Sequence, residues 1–141
     1  MKVEDSRQKA ILSVHADSIN HDITEAFLKK SNVKVIRAFD GLEALTSLFA
    51  EYVDLVLTSV RLPKMSGLDL AQNIRNPEFY SKFCNNSSSL PIVALLSSQH
   101  MHEEAYNAGI SECLLIPIPR AEFVQKVELW LNAVDKQPPP V

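Results

Sequence analysis

The sequence predicts an α/β fold, a doubly wound five-stranded parallel sheet of (βα)5 type with strand order 2-1-3-4-5. Three observations predict it. Short apolar runs alternate five times with segments of helical period. The runs at residues 54–60 and 91–96 are apolar on both faces, Thr58 and Ser59 excepted, as in strands covered by helices on both sides. After the first of these runs, Leu62-Pro63-Lys64-Met65-Ser66-Gly67 turns the chain into a helix, so residues 59–64 fall at the carboxyl edge of the sheet, where ligands and chemistry sit in such folds.

Each element has its own warrant. A polar lead covers residues 1–9, and Ala10-Ile11-Leu12-Ser13-Val14 reads as the first strand. Asp17 or Ser18 caps a helix over residues 18–31, with Ile19, Ile23, Phe27 and Leu28 on one face. Residues 33–38 alternate as a half-exposed edge strand, and Asp40-Gly41 opens a second helix carrying Leu42, Leu45, Leu48 and Phe49. The central strand at 54–60 leads to a helix from Leu68 to Arg75 with Leu70, Ala71 and Ile74 inward, stopped before Pro77. Residues 76–90 are long for a helix-to-strand link and read as a surface loop with some local helix. Residues 91–96 form a buried fourth strand, and a short helix over 101–108 ends at Gly109. Residues 113–116 form the fifth strand. Beyond Pro117-Ile118-Pro119 a last helix over 120–134 carries Phe123, Val124, Val127, Leu131 and Val134 as its stripe. The domain spans 10–135, and the Pro-rich residues 136–141 read as an extended tail.

With 141 residues, 46% of them hydrophobic, the chain suits one domain with a real core. A net charge of -3 with scattered Lys and Arg gives no footprint for nucleic acid. The polar N-terminus lacks a signal-peptide core and no apolar run approaches membrane-spanning length, so the expectation is a cytoplasmic protein without a membrane partner. Cys84 and Cys113 fit neither a disulfide framework nor a metal spacing and are read as reduced thiols, which leaves the sequons at Asn85 and Asn86 unglycosylated. His15-Ala16-Asp17-Ser18 after the first strand contains no glycine-rich phosphate loop, which argues against a nucleotide or flavin enzyme.

Several ordered stretches resemble the receiver domain of two-component response regulators, which has this flavodoxin-like architecture. They are Asp54-Leu55-Val56-Leu57, Leu62-Pro63-Lys64-Met65-Ser66-Gly67-Leu68, Pro91-Ile92-Val93-Ala94-Leu95, and Ala108-Gly109 ahead of Ile116-Pro117-Ile118. The resemblance covers residues 9–134. It implies two acidic residues after the first strand and an Asp ending the third that together hold magnesium, the latter Asp accepting phosphate from a phosphohistidine. It further implies a Thr or Ser ending the fourth strand, a Lys after the fifth, and a switch aromatic three residues before that Lys. A cis bond at Ile116-Pro117 belongs to the same pattern.

This chain departs from the pattern at every chemical position. The acidic pair falls on His15 and Ala16, the phosphoacceptor on Ser59, the hydroxyl on Leu96, the lysine on Ile116 and the aromatic on Cys113. Asp17 stands one residue past the acidic pair. The segment from Leu96 to Gly109 is short by about two residues for the family, which leaves Ser97 or Ser98 open as the hydroxyl. Magnesium wants oxygen ligands in tight octahedral geometry, so neither metal nor cofactor is expected. A serine without a base or metal is a poor phosphoryl acceptor. His15 lacks a third ligand in spacing and reads as structural, and Cys113 reads as a small hydrophobe.

Two functions remain. One is a pseudo-receiver, a phosphorylation-independent and non-enzymatic interaction module in signalling. Its partner faces are, by the resemblance, the fourth helix, fifth strand and fifth helix, with a homodimer among the options, or else the first helix. The other is a small-ligand-binding or enzymatic domain using the carboxyl-edge crevice. The state of the crevice discriminates them: Leu96 and Ile116 are expected to meet above Ser59 and plug it.

Overall fold

The computed structural model describes residues 8–76, 78 and 89–136, with the side chains of 134–136 left aside. Five strands, β1 (Lys9–Val14), β2 (Val33–Ala38), β3 (Leu55–Ser59), β4 (Ile92–Leu96) and β5 (Glu112–Leu115), form one sheet in the order β2-β1-β3-β4-β5. All four pairings are parallel. The helices are α1 (Ser18–Phe27), α2 (Gly41–Ala50), α3 (Gly67–Arg75), α4 (His102–Ala108) and α5 (Arg120–Lys136), with a 3-10 turn at Gln99–Met101 before α4.

Strand alternation sorts the core into two layers. Leu12, Val14, Val56, Ile92, Ala94 and Leu96 face α2, α3 and α4, where they meet Ala44, Leu48, Leu70, Ile74 and Ala105. Ile11, Leu55, Leu57, Val93 and Leu114 face the other side and pack on Leu28 and on Phe123, Val127 and Leu131 of α5. Each buried Leu or Ile contributes about 1.5–3 kcal/mol, so the central strands β1, β3 and β4 anchor the domain from both faces. β2 is the half-exposed edge that its alternation predicts.

Two helices bury only part of the face their apolar residues suggest. In α1, Ile19 is 70% and Ile23 45% exposed, while His21, Thr24 and the capping Leu28 are buried. The roll has a physical cause: His21 hydrogen-bonds the carbonyls of His15 and Ala38 at the ends of β1 and β2, and those groups need partners away from water. In α2 Leu48 is buried and Leu45 packs on the core as expected, beside Gly41 and Ala44, while Leu42 and Phe49 are exposed. α1 also ends four residues early, at Phe27, where Leu28 and Ser31 close a turn (Ser31 N–H to Leu28 carbonyl, 2.9 Å).

The remaining expectations hold more closely. α3 buries Leu70, Ala71 and Ile74, α4 ends at Gly109 with φ 109°, and Ile116-Pro117 is cis. β5 begins one residue before the expected span, at Glu112, and α5 runs through Lys136, two residues past the expected end of the helix. Most of the 76–90 connection, with Cys84 and both sequons, and the tail at 137–141 lie outside the described residues. No helix among the described residues is long and apolar enough to cross a membrane.

Candidate functional site at the carboxyl edge

β1 and β3 run in register with Val14 opposite Thr58, so the next residues, His15 and Ser59, stand side by side at the carboxyl edge. His15 Nδ1 and Ser59 Oγ are 2.7 Å apart. α3 holds Ser59 from below: a Cβ at Gly67 would lie 2.2 Å from the Ser59 carbonyl oxygen, and the Gly67 N–H donates to Val60 O at 2.8 Å. Only glycine permits that approach.

The hydrogen bonds settle where the protons are. The Thr24 hydroxyl donates to the Asn20 carbonyl at 2.9 Å, so its oxygen accepts from His15 Nε2, 3.4 Å away. His15 therefore carries its proton on Nε2, and Nδ1 accepts from the Ser59 hydroxyl. His21 is fixed the same way. Its Nε2 donates toward the His15 and Ala38 carbonyls, each at 3.1 Å, and its Nδ1 accepts from the Ser13 hydroxyl at 2.9 Å. The two rings meet edge-on with centroids 5.0 Å apart. Burial, reinforced by His21 and opposed by Asp17, pushes the His15 imidazole down to about 4. Burial lowers His21 as well, so a neutral histidine pair occupies this edge at pH 7.

The other matched positions are placed as follows. Ala16 is exposed. Asp17 caps α1, accepting from the Asn20 N–H at 2.9 Å and from Asn20 Nδ2 at 3.0 Å, and that backbone bond holds its carboxyl below the ordinary carboxylate range. Cys113 is half-buried; its backbone N–H donates to the Tyr106 hydroxyl at 3.1 Å, and burial pushes its thiol up. Ile116 is half-buried, its N–H donating to the Leu96 carbonyl at 2.8 Å.

Leu96 and Ile116 stand beside Ser59 at the edge, both lining the smaller of two cavities on which Ser59 opens, and do not fill it; Leu96 also packs into the α2–α4 layer of the core. The smaller, about 230 Å³, is bordered by Asp17, Arg61, Ser97, Ser98 and His100. The larger, about 460 Å³, lies between α1 and the Ile116-Pro117-Ile118 turn. Ser97 borders both, whereas Ser98 borders only the smaller and spends its oxygen on the His100 N–H at 3.4 Å. Ser97 thus shares both cavities with Ser59, and Ser98 shares one. Thr24 and Asn20 join the site unforeseen, although Thr24 lies three residues after His21, on the same helix face.

Magnesium does not fit this set. An imidazole, a serine hydroxyl and an alanine methyl stand where carboxylates are needed, and Asp17 is committed to its cap. Among the described residues no group of three His, Cys, Asp or Glu is placed to hold a metal ion.

Known proteins place this architecture. The chain is 31% identical to the response regulator mcs4 of Schizosaccharomyces pombe over 85% of its length, which is 27% of that protein. It is 29% identical to the sensor protein GacS of Pseudomonas syringae over 96% of its length, 15% of that protein. The chain thus spans about a quarter or less of these relatives. Among solved structures, the receiver domain of the sensor histidine kinase PA1611 from Pseudomonas aeruginosa, which holds a magnesium ion in its active-site cleft, superposes with a TM-score of 0.76 at 27% identity, covering 89% of this chain and 99% of that one. A response regulator from Chloroflexus aurantiacus gives 0.77 at 26% identity over 89% and 99%. The response regulator receiver domain model matches residues 11–128, and the chain belongs to that family.

Proposed function

We propose that this receiver domain works in signal transduction as a pseudo-receiver, a non-enzymatic protein-interaction module whose output does not depend on aspartyl phosphorylation. One observation carries the reading: the phosphoacceptor position is Ser59, and its hydroxyl proton is given to a neutral His15 that stands where the family keeps a carboxylate. A metal-activated acceptor needs the opposite, a carboxylate pair and a cation to offset the transferred charge. Ile116 supplies none.

The partner meets exposed apolar residues on α1, Ile19 and Ile23, or on the α4–β5–α5 face, Tyr106 and Leu115. Ile19→Asp and Tyr106→Asp variants separate the two faces, since each should abolish binding only if its own face is used. Phosphorylation independence is tested by incubating the protein with acetyl phosphate and millimolar magnesium and measuring intact mass. The expected result is no phosphoryl adduct; an adduct lost in Ser59→Ala would refute the reading.

A further inference from the structure

We infer that the cavity between α1 and the Ile116-Pro117-Ile118 turn is a binding site for a small, neutral, mainly apolar molecule that carries a hydrogen-bond donor. The cavity holds about 460 Å³, within the range of about 300–1,000 Å³ usual for small-molecule sites. Its walls are Ile23, Phe27, Leu95, Ile116, Ile118 and Phe123, and none of the residues lining it is an acid, a lysine or an arginine. A charged ligand would leave water without compensation there.

Depth distinguishes this site from a flat contact patch. Ile23 at the mouth is 45% exposed, whereas the polar groups lie inward: His15 is 2% and Thr24 3% exposed. A ligand reaches them by entering the cavity with its apolar body against the walls.

The donor requirement follows from the proton positions. Ser59 gives its only hydroxyl proton to His15 Nδ1, because His15 Nε2–H faces a Thr24 oxygen whose own proton goes to Asn20 O. Ser59 Oγ therefore offers lone pairs to the cavity. A ligand hydroxyl or N–H satisfies them; an ether or a carboxylate does not.

The inference rests on reading Ser59 as a hydrogen-bonding group rather than a phosphate acceptor, and the two fail separately. Phosphate labelling bears on the acceptor, and the assay below uses neither phosphate nor metal. The probes are β-naphthol, its methyl ether and β-naphthoate, titrated into the whole chain and followed by amide chemical shifts. β-Naphthol should bind saturably with the largest shifts at Ile23, Ser59, Ser97 and Ile118. The methyl ether should bind about fivefold more weakly, the worth of one hydrogen bond, and the carboxylate weakest of all. Ser59→Ala should reduce β-naphthol to the affinity of the ether and leave the ether unchanged. Ile23→Asp, at a half-exposed position that leaves folding intact by its melting curve, should abolish binding of both. No saturable binding by either ring, shifts centred elsewhere, or equal affinities of β-naphthol and its ether would each overturn the proposal, the first leaving the cavity to a macromolecular side chain.

Discussion

At the amino end of the sheet, Arg75 at the close of α3 donates to the carbonyls of Leu90 (2.6 Å) and Gly109 (3.0 Å) and to the Ser111 hydroxyl (3.2 Å), tying together the entries to β4 and β5. Asp54, 4% exposed, does the same for β1 and β3 by accepting from the Ala10 N–H at 2.8 Å. At the carboxyl end charged Asp17 and Asp40 cap α1 and α2, but the bonds between the strand ends around Ser59 are made by neutral groups, His15 with Ser59 and His21 with Ser13, and cavities lie beside them. At the strand ends charge is thus kept where it ties the entries of β1, β4 and β5, and is missing at Ser59 and His15, where receiver chemistry calls for it.

The largest expected effect is at the amino edge. Arg75→Ala strips partners from two carbonyls and a hydroxyl, and hydrogen bonds to a charged group are worth more than neutral ones, so the loss should be about 4 kcal/mol. Urea unfolding at constant m-value reads it. A loss no larger than that of a carboxyl-edge substitution would erase the contrast.

The second effect belongs to pH and to the other edge. His15 ionises at about 4 in the folded chain against 6.5 when free, so between those values the unfolded state binds a proton that the folded state refuses. Stability is then full above pH 6.5, falls as the pH drops toward 4 by about 3 kcal/mol, and levels off below, as far as this group is concerned. His21 is shifted the same way and adds to the slope. Unfolding curves at successive pH values check it, and His15→Asn should flatten much of the slope. A flat profile in the native protein would mean that the edge is not built from neutral imidazole.

Ser59→Ala is the smallest change. It removes one neutral hydrogen bond at a half-buried position and should cost about 1 kcal/mol by urea unfolding. A cost like that of Arg75→Ala would make Ser59 a structural keystone rather than a recognition group.

How much of this was legible in the sequence differs between the same two edges. Strand order and the two core layers follow from alternation in runs such as 54–60 and 91–96, where buried apolar residues decide position. On α1 Phe27 and Leu28 pack inward as their period implies, but Ile19 and Ile23 yield the inner face to His21 and Thr24. Carbonyls at the ends of β1 and β2 are tertiary partners that no helical period reveals. The replaced chemical positions were legible residue by residue through the family pattern, yet the bond between His15 and Ser59, 44 residues apart, depends on strand register. Leu96 and Ile116 do reach the rim beside Ser59, but whether two side chains fill a crevice depends on the spacing of strands and turns, which strand parity does not give. Arg75 was read only as the end of a helix, since its acceptors are backbone groups that side-chain patterns do not show.

A carboxyl edge without the metal-dependent switch, as proposed above, does not bind magnesium. Amide spectra of the native protein titrated with magnesium chloride into the millimolar range test it most directly. The expected result is no saturable shift at Ala16, Asp17, Ser59 or Ser97; saturable shifts centred on those residues would mean that the metal site persists.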